Sequence, residues 1–372
     1  MSYAFPSSNA SSSDNLTGSD PLVPYGWEPS WAAEFAPHAE QGLLPGRVVR
    51  VDRGRCDVVV ADGDTVSTVR ADTGPVADPD PMRLPCTGDW AAVSVGPAGT
   101  YVRALLPRRT AVVRSTSSTR SEGQILAANV DTVVIAASLA VAPDLGRIER
   151  FLALAWESGA QPLVVLTKAD LASDAEQIRE DVEQIAPGAD VLVVSAATGR
   201  GMDVLAACLP GTSALLGQSG AGKSTIANAL IGNDVMEVQQ TRGDGKGRHT
   251  TTTRELMPLP GGGVLIDTPG LRGVGMYDAA EGVQQVFSEI EALAEDCRFA
   301  DCGHVSEPGC AVLEALDDGV LTHRRLDSYR KLLRENEWIA SRSDARLRAE
   351  RLKEWKAKGK AGAEMMRAKG RR

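Results

Sequence analysis

The sequence predicts a multidomain chain: a small β-barrel, then a central α/β unit on a parallel sheet, then a helical region around a metal site. Three observations predict it. Short alternating apolar runs broken by turn signals fill residues 42–112 (GRVVRV, CDVVV, STVRA, DWAAVSV, YVRALL), the rhythm of short strands rather than helices. From 113 to 275, apolar strands alternate with helical stretches, and one strand runs into GQSGAGKST at 217–225. Between 297 and 310, three of the six cysteines gather with a histidine.

The elements follow in order. Residues 1–41 begin as a Ser-rich, low-complexity, flexible segment and then hold YGWEPSW, a candidate for docking. The barrel occupies 42–112, the α/β unit 113–275, the helical metal region 276–340 and a basic tail 341–372. That tail has twelve Lys or Arg against four Asp or Glu, a net of +8, so with the whole chain at −9 residues 1–340 carry −17. Such an arm suits a polyanion, and equally a solvated helix end. Hydrophobic content of 43% and charged content of 24% are those of a soluble globular protein. The apolar run VVIAASLAVA at 133–142 is far short of the ~20 residues that span a bilayer. No cationic-then-apolar leader opens the chain, so the expectation is a cytoplasmic protein with no membrane partner.

The run at 217 meets the pattern G-x-x-x-x-G-K-[ST] with Gly217, Gly222, Lys223 and Ser224. Glycines let the backbone curve around phosphate, so the N–H groups of Gln218, Ser219, Gly220, Ala221 and Thr225 turn inward with them. Lys223 reaches the outer phosphates, and the Ser224 hydroxyl ligates Mg²⁺. VLIDTPG at 264–270 ends a strand in Asp267, a second Mg²⁺ carboxylate, with the Gly270 N–H turned toward the γ-phosphate. Between them, GRHTTT reads as a switch loop whose Thr250 or Thr251 closes on Mg²⁺ when the third phosphate is present.

Base recognition falls to VVLTKAD at 164–170, a strand ending in Thr167, Lys168, Ala169 and Asp170. The Asp170 carboxylate accepts from guanine N1–H and its exocyclic amine, an edge that adenine lacks. The Lys168 stem covers the ring, and a backbone N–H at Ser195–Ala196 reads O6. Both elements precede the phosphate loop, whereas in an ordinary GTPase they follow it. Sites on parallel sheets gather at the carboxyl ends of strands whatever the chain order, so a circular permutation keeps every contact.

The order TKAD, SA, GQSGAGKST, GRHTTT, DTPG is similar to that of the circularly permuted GTPases of the ribosome-small-subunit-dependent GTPase A (RsgA) family. The likeness runs from about 42 to 340 and includes GDW (88–90), LPRRT (106–110) and NVD (129–131). It implies an OB-fold barrel that contacts RNA, a permuted G domain and a zinc-binding helical domain. It also implies a monomer that binds GTP and GDP and acts with the small (30S) ribosomal subunit and its rRNA in late maturation, with subunit-stimulated hydrolysis. Thr167 departs from the family pattern, which has Asn there.

Cys297, Cys302, His304 and Cys310 form C-x4-C-x-H-x5-C, a closed Cys₃His set suited to one structural zinc ion. The position after D-x-x-G, where many GTPases carry a water-orienting glutamine, is Leu271. His249 is the nearest replacement, and the resemblance implies the same catalytic role. The barrel, with ten arginines, no lysine and eight aspartates over 42–115, is only weakly basic. Two other readings stay open: a GTP-switched RNA-binding module whose hydrolysis is dispensable, and an unrelated P-loop ATPase or kinase.

Overall fold

The computed structural model describes residues 20–115, 123–232, 254–268 and 275–343. After a helical turn at Val23–Tyr25, α1 (Pro29–Ala39) leads into five strands: β1 (Leu44–Asp52), β2 (Arg55–Asp62), β3 (Thr65–Asp72), β4 (Trp90–Gly96) and β5 (Gly99–Leu105). They neighbour in the order β1-β2-β3-β5-β4, and β4 returns to β1 through the pairs Leu44↔Val93 to Arg47↔Trp90. The result is a barrel-like sheet whose alternating apolar residues (Val48, Val58, Val60, Ala91, Val93, Val102) fill its inside.

A two-stranded ribbon, β6 (Ala111–Ser115) with β7 (Gly123–Ala128), connects to the second unit. There β8 (Thr132–Ser138), α2 (Leu145–Glu157), β9 (Gln161–Thr167), α3 (Ala175–Glu183), β10 (Asp190–Val193), α4 (Met202–Ala207), β11 (Thr212–Gly217) and α5 (Lys223–Ile231) alternate, followed by β12 (Glu255–Pro258) and β13 (Val264–Asp267). The strand order is β10-β9-β8-β11-β13-β12, parallel except for β12. Each interior strand is centred on an apolar run rather than an alternating one, as burial on both faces requires. β12 also pairs with β1 at Glu255↔Arg50, so the two sheets are continuous.

Helices α6 (Ala280–Val286), α7 (Ser288–Glu295), α8 (Ala311–Asp317) and α9 (His323–Ser343) follow; α6 packs on α2 and against α7 and α9, and α8 packs on α7. Glu149, fully buried on α2, receives the Arg325 guanidinium at 2.7 Å, Arg324 at 3.0 Å and the Ser328 hydroxyl, all from α9. Arg325 also reaches Glu289 on α7 at 2.6 Å. A buried carboxylate needs such partners, since removal of one leaves an uncompensated charge.

The segment YGWEPSW does dock. Trp27 and Trp31 are buried against the core indole of Trp90, at ring separations of 4.7 and 6.2 Å. Trp31 and Phe35, one turn apart on α1, form its buried face, with Pro29 in its first turn and Pro37 in its last. Cys56 and Cys86 are small core residues, their thiols pushed up to about 12 by burial, and Cys208 is half-buried.

Candidate functional site

The carboxyl ends of β8, β9, β11 and β13 lie side by side, through the pairs Ser138↔Thr167, Ala136↔Gly217 and Leu215↔Asp267. Chain order is irrelevant to this meeting, and TKAD and the glycine loop come into direct contact. The Thr167 hydroxyl donates to the Ala221 carbonyl at 2.7 Å, and the Lys168 ammonium donates to the Gly220 carbonyl at 2.9 Å. Lys168 itself sits at φ 59°, the left-handed turn that sends the chain from the strand into the short helix Ala169–Leu171.

The loop needs its first glycine. Gly217 has φ 152°, and a Cβ there would lie 2.6 Å from the Ala136 carbonyl. Lys223 is buried under the loop, with its ammonium 3.1 Å from the Gly217 carbonyl and 3.2 Å from that of Gln218. Burial lowers its pKa, against the opposing pull of the fully buried Asp267 carboxylate. Ser224 and Thr225 follow on the first turn of α5, the end of a helix that can meet an anion through its N–H groups. Next along the chain from Asp267, the Thr268 hydroxyl bonds to the Leu215 carbonyl at 2.5 Å and fastens β13 to β11.

At the β9 end, Asp170 accepts from the fully buried Ser195 hydroxyl at 2.5 Å, and that hydroxyl accepts from the Thr198 N–H at 3.3 Å. Ser195, and Ala196 after it, thereby lie beside the carboxylate that sequence reasoning assigned to base reading. A cleft of about 280 Å³ opens on the β8 side of the loop, walled by Ser138, Lys168 and Gln218–Ala221 and floored by Ile148 and Phe151. Four predicted site residues, His249, Thr250, Thr251 and Gly270, lie outside the described residues.

The cysteine cluster assembles. The ligand atoms of Cys297, Cys302, His304 and Cys310 all lie within 4.8 Å of one another. Cys297 Sγ is 3.8 Å from Cys310 Sγ, and His304 Nδ1 is 3.6 and 3.4 Å from those two sulfurs. Zinc–sulfur bonds of ~2.3 Å set tetrahedral sulfurs about 3.8 Å apart, so this donor set fits zinc. Burial raises the Cys297 thiol, but the N–H groups of Val312 and Ala311 outweigh it and leave the thiol below its ordinary range. Burial pushes Cys302 up to about 11 and holds the His304 imidazole below its usual value.

The motifs GDW, LPRRT and NVD, whose physical role is not evident from residue type or spacing, build the joint between barrel and parallel sheet. Gly88, at φ 98°, has the Ala128 carbonyl 2.1 Å from where a Cβ would stand. The buried Asp89 takes both Nε and Nη2 of Arg108, each at 2.7 Å, and Arg108 also holds the Leu84 carbonyl. The Asn129 side chain accepts from the Arg109 N–H at 3.0 Å and donates to the Gly88 carbonyl at 3.2 Å, and Asp131 accepts from the Thr212 N–H at 2.7 Å. Arg47 from β1, almost wholly buried and lowered to about 10 by that burial, bonds to the Thr212 hydroxyl at 3.1 Å and the Asn129 carbonyl at 3.3 Å.

With this geometry in hand, the likenesses are specific. A family model described as RsgA GTPase matches residues 105–277. A protein of Streptomyces avermitilis named small ribosomal subunit biogenesis GTPase RsgA is 67% identical over 95% of this chain and 96% of its own length. One of the same name from Opitutus terrae is 45% identical over 89% and 94%. The crystal structure of YjeQ from Thermotoga maritima superposes with a TM-score of 0.56 at 25% identity, covering 79% of this chain and 98% of that one. YloQ, described as a circularly permuted GTPase, does so at 0.54 and 23% identity over 79% and 94%, a likeness of fold.

Proposed function

This chain belongs to the RsgA GTPase family, and from that premise we propose that it hydrolyses GTP to GDP and phosphate in the biogenesis of the small ribosomal subunit. The observation that carries this reading is the tie between TKAD and the glycine loop, residues 54 positions apart in the chain and 2.7 Å apart in space. A guanine edge read by Asp170 and phosphates gripped at Gly217–Thr225 then belong to one ligand. Lys223, stripped of water, presents its charge to the outer phosphates with little screening. Oxygen donors from Ser224 and Asp267 suit Mg²⁺, which supplies charge neutralisation at the phosphates when bound.

His249 takes the water-orienting role that Leu271 cannot, and the small subunit stimulates turnover by bringing His249 against the attacking water. Thr250, Thr251 and Gly270 respond to the third phosphate. Strand order β1-β2-β3-β5-β4 with closure on β1 supports an OB-fold reading of the barrel, a fold that binds RNA. One zinc ion held by Cys297, Cys302, His304 and Cys310 stabilises the helical region, and the basic tail adds phosphate contacts to rRNA. The protein works in the cytoplasm, where small subunits mature. Among the described residues, no helix is long and apolar enough to cross a membrane.

The deciding experiment measures GTP and ATP turnover with and without purified small subunits, for the natural chain and for His249→Ala. The expected outcome is GTP-selective turnover, stimulated by the subunit and losing about 10²-fold or more of that stimulation in His249→Ala with GTP binding retained. Full subunit-stimulated turnover in the variant sinks the role of His249. Equal turnover of ATP sinks the guanine reading.

A further inference from the structure

The loop that carries His304 is bent in a way its sequence does not favour. His304 has φ 54°, in the left-handed region that non-glycine residues populate sparsely. Two side chains outside the ligand set grip the backbone on either side of this bend. The Glu307 carboxylate accepts from the Gly303 N–H at 3.1 Å with one oxygen, and from the Val305 and Ser306 N–H groups at 2.7 and 2.9 Å with the other. The Arg330 guanidinium, from the middle of α9, donates to the carbonyl of His304 itself.

Both grips act from behind the cluster. Glu307 spends its oxygens on backbone donors and is not among the residues whose ligand atoms converge. Those donors flank His304 on both sides, so a single carboxylate fixes the turn that aims Nδ1 at the sulfurs of Cys297 and Cys310. Its pKa is held down at about 2 by the Ser306 and Val305 N–H groups, so it stays ionised across the physiological range. The Arg330 contact adds a second function to α9, which already reaches α2 of the parallel-sheet unit through Arg324, Arg325 and Ser328.

We propose that Glu307 and Arg330 are the positioning residues of the metal loop: Glu307 gathers the N–H groups flanking His304, and Arg330 holds the His304 carbonyl, so that the Cys₃His set is arranged before metal arrives. This inference rests on the zinc reading above. A loop that is arranged in advance loses less conformational freedom on binding, and contacts behind metal ligands commonly contribute 10–100-fold in affinity.

The test titrates the full chain with Co²⁺, whose tetrahedral thiolate complex has characteristic visible absorption, and then displaces it with Zn²⁺. The natural chain, Glu307→Gln, Glu307→Ala and Arg330→Ala are compared, with far-UV circular dichroism and GTP affinity as readouts of the rest of the fold. Expected is a metal dissociation constant raised about 10–100-fold in Glu307→Ala and less in Glu307→Gln, whose single carbonyl oxygen still accepts. Arg330→Ala weakens binding in the same direction, and GTP affinity stays unchanged in all. Glu307→Gln preserves shape and is the deciding arm if the alanine variant fails to fold. Natural-chain affinity and spectrum in Glu307→Gln overturn the proposal. Failure of the natural chain to take up one equivalent of Co²⁺ or Zn²⁺ overturns the zinc reading instead.

Discussion

At the carboxyl ends of β9 and β11, single hydrogen bonds from Thr167 and Lys168 join the two loops that frame the candidate nucleotide site. At the opposite ends of the same sheet, the barrel is fastened by an asparagine bonded both ways and an almost wholly buried arginine, beside a buried bidentate ion pair within the barrel segment. One edge is built from main-chain curvature and two loops tied by single hydrogen bonds. The other is built from desolvated, hydrogen-bonded charged and polar side chains that tie two units together. Short unusual motifs therefore mark both kinds of place, and only their chemistry separates them: glycines, lysine and strand-end carboxylates at one edge, and Arg–Asp–Asn–Trp at the other.

Substitutions at the two edges should separate cleanly. Asp170→Asn, at the open edge, loses most of a discrimination that polar-edge readers maintain at about 10⁴-fold, measured as the ratio of GTP to ATP affinity. Its melting temperature stays that of the natural chain, because an amide oxygen still accepts from Ser195. Arg108→Ala, at the joint, leaves the buried Asp89 carboxylate with little but the Cys86 N–H and is expected to destabilise by about 3–5 kcal/mol. Chemical denaturation reads that loss, while the base preference of the folded fraction is unchanged. A shift in base preference on Arg108→Ala, or a large stability loss on Asp170→Asn, would erase the division.

Much of the open edge was legible in the sequence because phosphate and guanine chemistry dictate residue types at fixed spacing. The strands that carry or lead into Gly217, Lys223, Asp267 and Asp170 end on one edge of the sheet. Thr167 stood out as a departure from the family pattern, and its hydroxyl donates to the Ala221 carbonyl of the glycine loop. The joint was not legible. Arg47 finds its partner Thr212 a full 165 residues away, and no local periodicity carries that pairing. YGWEPSW was legible only as a candidate for docking, and α1 owes its position to Trp27 and Trp31 meeting Trp90. The cluster at 297–310 was readable as a ligand set, but the grip of Glu307 on its backbone is a property of the folded turn.

The central claim is that an early strand end and a late glycine loop hold one guanine nucleotide between them. Backbone amide resonances of Thr167–Asp170 and of Gly217–Thr225, followed while a non-hydrolysable GTP analogue is added with Mg²⁺, test it most directly. Both sets should shift together along one saturation curve, with the Asp170 set unresponsive to an ATP analogue. A response confined to the glycine loop, or two curves with different midpoints, would contradict a shared pocket.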